Sequence, residues 1–240
     1  MKSLLIVIIS FLSCQFINAQ ELSGKDLLDK AINYHDPEGR WSKFDGEFYI
    51  TMETPNNPNR DSHIKINLPK EFFYVSAKRD TTTTEYTIAK TDCTIKLNGE
   101  SAISEAQKKE HNLSCDRAKL YKNYYTYLYG LPMKLKDEGT IIHDKVERKT
   151  FKGKEYLVLK ASYDETVGSD VWFFYFDPKT YAMEVYQFFK TDDKGALKKD
   201  SGEYILLTDT SSINGIKIPK LRAWYYNKDN KYLGTDKLTN

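Results

Sequence analysis

A histidine and an aspartate that stand side by side, His35 and Asp36, are the first residues whose types could do chemistry. An imidazole next to a carboxylate would suit proton transfer or metal coordination. Adjacent side chains seldom face one site, however, and the other three histidines do not stand at ligand spacing. The alternative is a structural turn, in which Asp36 accepts hydrogen bonds from nearby backbone amides ahead of Pro37.

A second group of acids, Asp164, Glu165 and Asp170, surrounds Gly168. These carboxylates could act as an acid and a base or bind calcium, although the fixed spacing of a calcium-binding loop is missing. A solvated loop is the other interpretation. A hydrolase or metal enzyme that uses His35 and Asp36, or this loop, therefore stays an alternative. We predict no enzyme, no metal and no cofactor, because the sequence also lacks a serine-nucleophile motif and a glycine-rich phosphate loop.

Cys93 and Cys115 are the two cysteines that follow residue 19. In an oxidising compartment they could form a disulfide, and otherwise they would be buried free thiols. Both alternatives stay open at this point. Their spacing fits neither a redox pair nor a zinc site.

The N-terminal segment has the pattern of a secretory signal. A lysine precedes an apolar stretch at residues 4–12, which is too short to span a bilayer. Ala19 fits the last position before a cleavage site. We therefore predict a signal peptide at residues 1–19, a single domain at residues 20–240, and a secreted or periplasmic protein. Lipidation at Cys14, which would give an outer-membrane lipoprotein, is the alternative, and an uncleaved anchor is a third. No later stretch is apolar and long enough to span a membrane.

Composition and periodicity favour a protein built mainly of strands. The formal net charge of +2 does not indicate nucleic-acid binding, and the aromatic content of 14% favours strands and pockets. Helical spacing of apolar residues predicts helices at Glu21–Tyr34 and Ser114–Tyr129, and Ser101–Leu113 is weakly helical. Strands are predicted at Phe44–Thr54, Ser62–Leu68, Phe72–Ala77, Glu85–Ala89, Asp92–Leu97, Thr140–Phe151, Glu155–Tyr163, Val171–Phe176, Met183–Phe189, Gly202–Thr210 and Ile216–Tyr226. Sequential strands with few helices predict one large, curved antiparallel sheet, with a helix against its concave face.

The hairpin formed by Val171–Phe176 and Met183–Phe189 is apolar on both faces of its first strand. A half-exposed strand would alternate apolar and polar residues, so both faces of this strand need cover. We predict that it belongs to the central pair of the sheet. The sequence leaves open which of its two faces looks inward.

Four motifs resemble known protein families. Asp177–Thr180 between two aromatic strands, and Ile213–Pro219, resemble the C-terminal half of the outer-membrane lipoprotein carrier (LolA/LolB/LppX-like) superfamily. Tyr34–Trp41 and Tyr163–Trp172 are similar to an uncharacterised family of secreted or lipid-anchored proteins from Bacteroidetes, a domain of unknown function. The resemblance implies a mainly β (α+β) fold, a single open antiparallel β half-barrel that holds the N-terminal helix and the inserted helical segment in its concavity. Carriers of this shape shelter acyl chains between the sheet and the helices.

Large aromatic side chains are numerous for a core formed by one sheet and two helices. Ordinary core packing is the alternative for each of them. The candidates for a groove that holds a hydrophobic ligand are Trp41, Phe48, Tyr74, Tyr124, Tyr125, Trp172, Phe174, Tyr186, Phe188 and Trp224.

We therefore predict a non-catalytic secreted or envelope protein that binds a lipid or a lipoprotein acyl chain, with envelope lipoproteins as further partners. The helix at Ser114–Tyr129 is predicted to be a movable lid over the groove. The alternative is a structural or partner-binding envelope protein whose barrel is filled by its own side chains.

Overall fold

A computed structural model describes residues 22–239. The predicted signal peptide at residues 1–19 and the alternative lipidation site at Cys14 lie outside the described residues. The described helices are α1 (Gly24–His35), α2 (Glu105–Glu110) and α3 (Cys115–Gly130). None of them is long and apolar enough to span a membrane. Short 3₁₀ helices lie at Trp41–Lys43 and Met133–Lys136.

Thirteen strands form one antiparallel sheet. They are β1 (Asp45–Thr54), β2 (Asn57–Asn67), β3 (Phe72–Arg79), β4 (Thr82–Ala89), β5 (Asp92–Leu97), β6 (Thr140–Ile142), β7 (Glu147–Phe151), β8 (Lys154–Tyr163), β9 (Val171–Phe176), β10 (Met183–Phe189), β11 (Glu203–Ile213), β12 (Ile216–Tyr226) and β13 (Tyr232–Leu238). Their order is β5-β4-β3-β2-β1-β13-β12-β11-β10-β9-β8-β6, and β7 also pairs with β8. The sheet of residues 22–239 is therefore open, and the fold is the predicted mainly β half-barrel with helices in its concavity.

The last strand, β13, joins the two halves of the sheet and was not predicted. Ile50 of β1 pairs with Leu238, and Leu221 of β12 pairs with Lys237. Without β13 the N-terminal strands β1–β5 and the C-terminal strands β8–β12 would be two separate sheets. The predicted central position of β9 and β10 is wrong for the same reason, because the centre of the strand order is at β1, β13 and β12.

The predicted strand at Thr140–Phe151 is in fact two strands. Between β6 and β7 the chain turns away from β8 to meet the start of α1. The amide of Gly24 donates to the carbonyl of Asp144 at 2.7 Å, and Ser23 pairs with Lys145 as an isolated bridge. The break lies where the chain leaves the register of β8, since residues 143–146 stand opposite only residues 159 and 160 between the paired ends of β6 and β7.

Helix α3 begins within one residue of its predicted start, whereas α1 begins three residues after its predicted start at Glu21. The hydroxyl of Ser23 accepts a hydrogen bond from the amide of Asp26 and caps α1, and the hydroxyl of Ser114 accepts from the amide of Arg117 and caps α3. The apolar stripe of α1 is buried at Leu27, among other residues. Because α1 lies against β8 and β12 while α3 lies against β3, β4 and β5, the two helices cover different halves of the concave face.

Candidate functional site

The two faces of β9 have different partners. Phe174 and Phe176 are fully buried in the main core with α1 and α3, and Trp172 packs against that core. On the convex face, Tyr175 and Phe173 belong to a second, smaller apolar cluster. The other members of this cluster are Tyr156, Val158, Val185, Phe151 and Leu206. The strand is apolar on both faces because each face meets its own apolar layer, and Trp172, Phe174 and Phe176 look inward.

The predicted groove residues divide into three groups. The first group is ordinary core, since five side chains are buried inside the concavity: Trp41, Phe48, Tyr125, Phe174 and Tyr186. Phe48 stacks on Tyr129 of α3 with ring centroids 4.7 Å apart, so helix and sheet leave no free groove there. The deep concavity is filled by the protein's own aromatic rings.

Tyr74 lies on the opposite face of the sheet and does not belong to the groove. It alternates with Phe73 and Val75, both of which are fully buried on the concave face. Its hydroxyl donates to Glu85 at 2.9 Å, and its ring meets the edge of His63. The alternation of residues along β3 determines this placement, because successive side chains of a strand point to opposite faces.

The third group lies half-buried at the rim of the concavity, beside α3. It consists of Tyr124, Trp172, Phe188 and Trp224. Tyr124 stacks on Trp224 with centroids 6.2 Å apart, and Trp172 stacks on Phe188 with centroids 4.8 Å apart. The buried ring of Tyr186 lies between the two pairs, 6.0 Å from Trp172 and 6.2 Å from Trp224. These aromatic rings form an aromatic wall at the rim, to which α3 contributes Tyr124 and the sheet contributes the other rings.

Two clefts open at this rim and share Met52 and Tyr124 among their lining residues. The larger has a volume of about 460 Å³ and the smaller about 210 Å³. The larger lies along α3 and is lined in addition by Arg60, Arg117, Leu120, Tyr121 and Asn123. The smaller reaches β12 and β13 and is lined in addition by Thr54, Glu203, Trp224, Leu233, Gly234, Thr235 and Asp236. We define these two clefts together as the rim cleft.

Sequence reasoning did not identify the charged residues of this region. Arg222 is 1% exposed and Asp236 is 3% exposed, both on the concave face. Tyr124 donates a hydrogen bond to Oδ2 of Asp236 at 2.9 Å. Burial raises the pKa of the Asp236 carboxyl, while Tyr124 and the nearby Arg60 and Arg222 oppose that rise. A lone charged residue in an amphipathic strand is usually solvated, so the sequence carried no signal that these two are buried.

The deep end of the site contains polar atoms that lack hydrogen bonds. The hydroxyl of Tyr129 and the Nε of Arg222 are buried and have no hydrogen-bond partner within residues 22–239. The hydroxyl of Tyr186 lies near the Arg222 guanidinium without hydrogen-bond geometry. Buried groups of this kind are normally satisfied by protein, water or a ligand. Tyr129, Tyr186 and Arg222 line neither cleft, so these polar atoms belong to the packed interior below the aromatic wall.

His35 and Asp36 form the structural turn that was one of the two alternatives. The Nδ1–H of His35 donates to the carbonyl of Lys217 at 2.8 Å, and its Nε2 accepts from the amide of Met183 at 3.0 Å. The Asp36 carboxylate accepts from the amides of Arg40 and Trp41, each at 2.8 Å. Both ring nitrogens and both carboxylate oxygens are thus occupied by backbone groups.

The acidic loop lies at a different place from the His35 turn. Asp164 and Glu165 are exposed, and Asp170 is half-buried, which raises the pKa of its carboxyl. Asp170 lines a cavity of about 580 Å³ near Asp137 and Tyr163, whereas His35 lines another cavity. Within residues 22–239, no three histidine, cysteine or acidic side chains lie close enough to hold a metal ion.

Helix α3 is anchored at both ends. A disulfide joins its first residue, Cys115, to Cys93 on β5. Near its other end, Nη2 of Arg222 donates to the carbonyl of Leu128 at 3.4 Å, and the Arg222 guanidinium lies 3.7 Å from the ring centroid of Tyr129. These contacts disfavour the predicted movement of α3 as a lid. Because α3 is held in place, a ligand would enter the site through the rim cleft.

Comparisons with known proteins give one family and a set of similar solved structures, which includes the two that follow. The model of a family of unknown function, DUF6503, matches residues 2–240. A LolA superfamily protein from Nitrosomonas europaea has 9% sequence identity and a TM-score of 0.48, over 91% of this chain and 92% of that one. A DUF1329 family protein from Desulfovibrio piger has 11% identity and a TM-score of 0.48, over 90% of this chain and 91% of that one. No curated protein matches the chain.

Proposed function

We propose that this chain, which belongs to the DUF6503 family of unknown function, is a non-catalytic protein that binds a hydrophobic ligand in the rim cleft. The observation that carries the proposal is the position of Met52 and Tyr124 in both clefts, which places two partly apolar clefts side by side. Concave, mostly apolar clefts with a few polar groups are typical of small-molecule sites.

An exposed apolar residue supports this site. Leu120 is 65% exposed on α3 and lines the larger cleft. A leucine on the surface is unremarkable alone, but this one lines an opening of about 460 Å³ together with Tyr121 and Tyr124 of the same helix and Met52 of β1. A ligand that filled the opening would remove these side chains from water, which is the main driving force of apolar binding.

Replacing Leu120 with glutamine tests the site, because it removes apolar surface while keeping a good helix-forming residue on α3. The probe is N-phenyl-1-naphthylamine, an uncharged dye whose fluorescence rises in apolar surroundings. We expect the dye to bind the unsubstituted protein, and the dissociation constant to rise about tenfold in Leu120→Gln, or about 1.4 kcal/mol.

Ile141→Gln is the matched control for Leu120→Gln. Ile141 is 47% exposed on β6 and lines neither part of the rim cleft. Its replacement should leave the affinity for the dye unchanged. A folded protein that does not bind the dye, or equal affinities in the two variants, would contradict the proposed site.

A second candidate function is a structural or partner-binding protein whose interior is filled by its own side chains. The complete burial of Phe48, Phe73, Phe174 and Tyr125 in the concavity favours it. Extraction of the protein from its own cells distinguishes the two candidates. Co-purified lipid in the organic extract, identified by mass spectrometry, supports ligand binding, whereas an extract without lipid supports the filled interior.

We also propose that the protein is exported, as a secreted or periplasmic protein cleaved after Ala19. The Cys93–Cys115 disulfide supports an oxidising compartment, where such bonds persist. The intact mass of the protein from its own cells should correspond to a chain that begins at Gln20. A chain that begins at a lipid-modified Cys14 would instead show an outer-membrane lipoprotein, and an uncleaved chain would contradict export by a removable signal.

A further inference from the structure

The larger part of the rim cleft has positive charge and no acid among its lining residues. Arg60 and Arg117 line it together with Met52, Leu120, Tyr121, Asn123 and Tyr124. A cationic group beside apolar surface is unfavourable unless it is paired or hydrated. The chemistry of the lining therefore fits a ligand that is both apolar and anionic.

The two guanidinium groups lie near the same ring. Cζ of Arg60 is 5.7 Å and Cζ of Arg117 is 5.3 Å from the ring centroid of Tyr121. In the part of the chain that is described, Arg40 and Arg148 form ion pairs with carboxylates, whereas Arg60 and Arg117 do not. Two arginines that form no ion pair with a carboxylate therefore lie at one aromatic ring, where they can attract an anion.

The donors of Arg60 are only partly used. Its Nη2 donates to the hydroxyl of Tyr125 at 3.2 Å, which fixes the side chain against α3. Its Nε is buried and has no hydrogen-bond partner in residues 22–239. Arginine presents its donors in a planar fork that suits a carboxylate.

The charges of the rim cleft are divided between its two parts. The larger part is lined by Arg60 and Arg117, and the smaller part by Glu203 and Asp236. An anionic head therefore finds positive charge in the larger part, away from the two acids.

We propose that the rim cleft binds an amphiphilic anion, a single acyl chain that ends in a carboxylate, with the chain against Leu120 and Met52 and the carboxylate at Arg60 and Arg117. This inference rests on the proposed function and specifies its ligand. The volume of about 460 Å³ is at the lower end of ordinary ligand sites and suits one chain better than a lipid with two.

Displacement of bound N-phenyl-1-naphthylamine tests the charge of the ligand head. Dodecanoate and dodecanol have the same chain length and differ in the ionised group. At pH 8 and low salt, dodecanoate should displace the dye at a concentration about tenfold lower than dodecanol. The preference should weaken as salt is added, because the rim is open to solvent.

Arginine variants test the position of the head. Arg117→Gln should abolish the preference for dodecanoate and leave displacement by dodecanol unchanged, and Arg60→Gln should do the same where it remains folded. Arg148→Gln, at an exposed arginine away from the cleft, should keep the preference.

The possible failures are distinguishable. Equal displacement by dodecanoate and dodecanol, or a preference that persists in both Arg60→Gln and Arg117→Gln, overturns the carboxylate site but leaves the apolar site intact. Tighter binding of dodecyl phosphate than of dodecanoate overturns the assignment of a carboxylate head. Displacement by neither dodecanoate nor dodecanol, together with no binding of the dye, overturns this inference and the proposed function together.

Discussion

Replacing Arg222 with methionine is expected to lower the free energy of unfolding by about 3–5 kcal/mol, the range for removing one member of a buried charged network. Arg222 is the largest fully buried side chain of the described residues. Its guanidinium donates to the carbonyls of Pro219 and Leu128 and lies 3.7 Å from the centroid of the Tyr129 ring. Methionine fills a similar volume but makes none of these contacts.

The expected loss of stability has a physical reason: the Arg222 side chain connects β12 to the C-terminal end of α3. Leu128 is in the last turn of α3, where backbone carbonyls lack intrahelical partners. Without the guanidinium, the carbonyl of Leu128 loses its hydrogen bond inside the core, and Asp236 loses a nearby positive charge. An unpaired buried polar group is destabilising by about 1–3 kcal/mol.

Urea denaturation followed by tryptophan fluorescence measures the effect. Arg148→Met is the matched control, because Arg148 is an exposed arginine in a surface ion pair, and its loss should change stability by less than about 1 kcal/mol. Arg222→Lys, which keeps the charge but not the planar fork, should be intermediate. Equal stabilities of Arg222→Met and Arg148→Met would show that the buried guanidinium does not hold α3 to the sheet.

The regular elements were predictable wherever apolar residues followed a clear period. The bounds of β5 and β12 are those that the sequence predicts, and α3 lies within one residue of its predicted bounds at both ends. β13 was missed for a physical reason. Its buried inward positions are Gly234, Asp236 and Leu238, so only one of the three is apolar and the alternation that marks a strand is absent.

Of the residues at the candidate site, only the aromatic ones were predictable from the sequence. The sequence led us to expect that the large aromatic rings would meet a helix or a ligand. Tyr124 and Trp224 do lie at an opening. Tyr74 could have been excluded from the sequence, since it alternates with Phe73 and Val75. The inward face of β9 could not be chosen, because both of its faces are apolar.

The charged residues of the site are brought together only by the tertiary fold. Arg60 and Arg117 are far apart in sequence, and they share one cleft because α3 lies against β3, β4 and β5. Likewise, Asp236 meets Tyr124 through a strand pairing that no local pattern indicates. Side chains that are usually solvated become informative only when the fold shows what surrounds them.

Lowering the pH from 6.5 to about 4 is expected to reduce the free energy of unfolding by about 3 kcal/mol through His35 alone. Burial lowers the pKa of His35 from 6.5 to about 4, and the charges of Lys217 and Arg222 act in the same direction. The side chain is 3% exposed, so solvent screens this effect little.

The sign follows from the protonation of the two states. Between pH 6.5 and about 4 the unfolded chain binds a proton at His35 and the folded chain does not, so stability falls as the pH falls through this interval. Protonation of the folded state is unfavourable because Nε2 accepts a hydrogen bond from the amide of Met183 and cannot accept once it carries a proton. Above the unfolded pKa, His35 contributes no pH dependence.

Denaturation curves at pH 7.5, 6.5, 5.5 and 4.5 for three proteins test this prediction. The unsubstituted protein should lose stability over the interval, and His35→Gln should be less stable at pH 7.5 but lose about 3 kcal/mol less on acidification. His111→Gln, at the C-terminal end of α2, should keep the full pH dependence. Parallel profiles for the unsubstituted protein and His35→Gln would show that the pKa of His35 is the same in the folded and unfolded states, which would contradict the prediction.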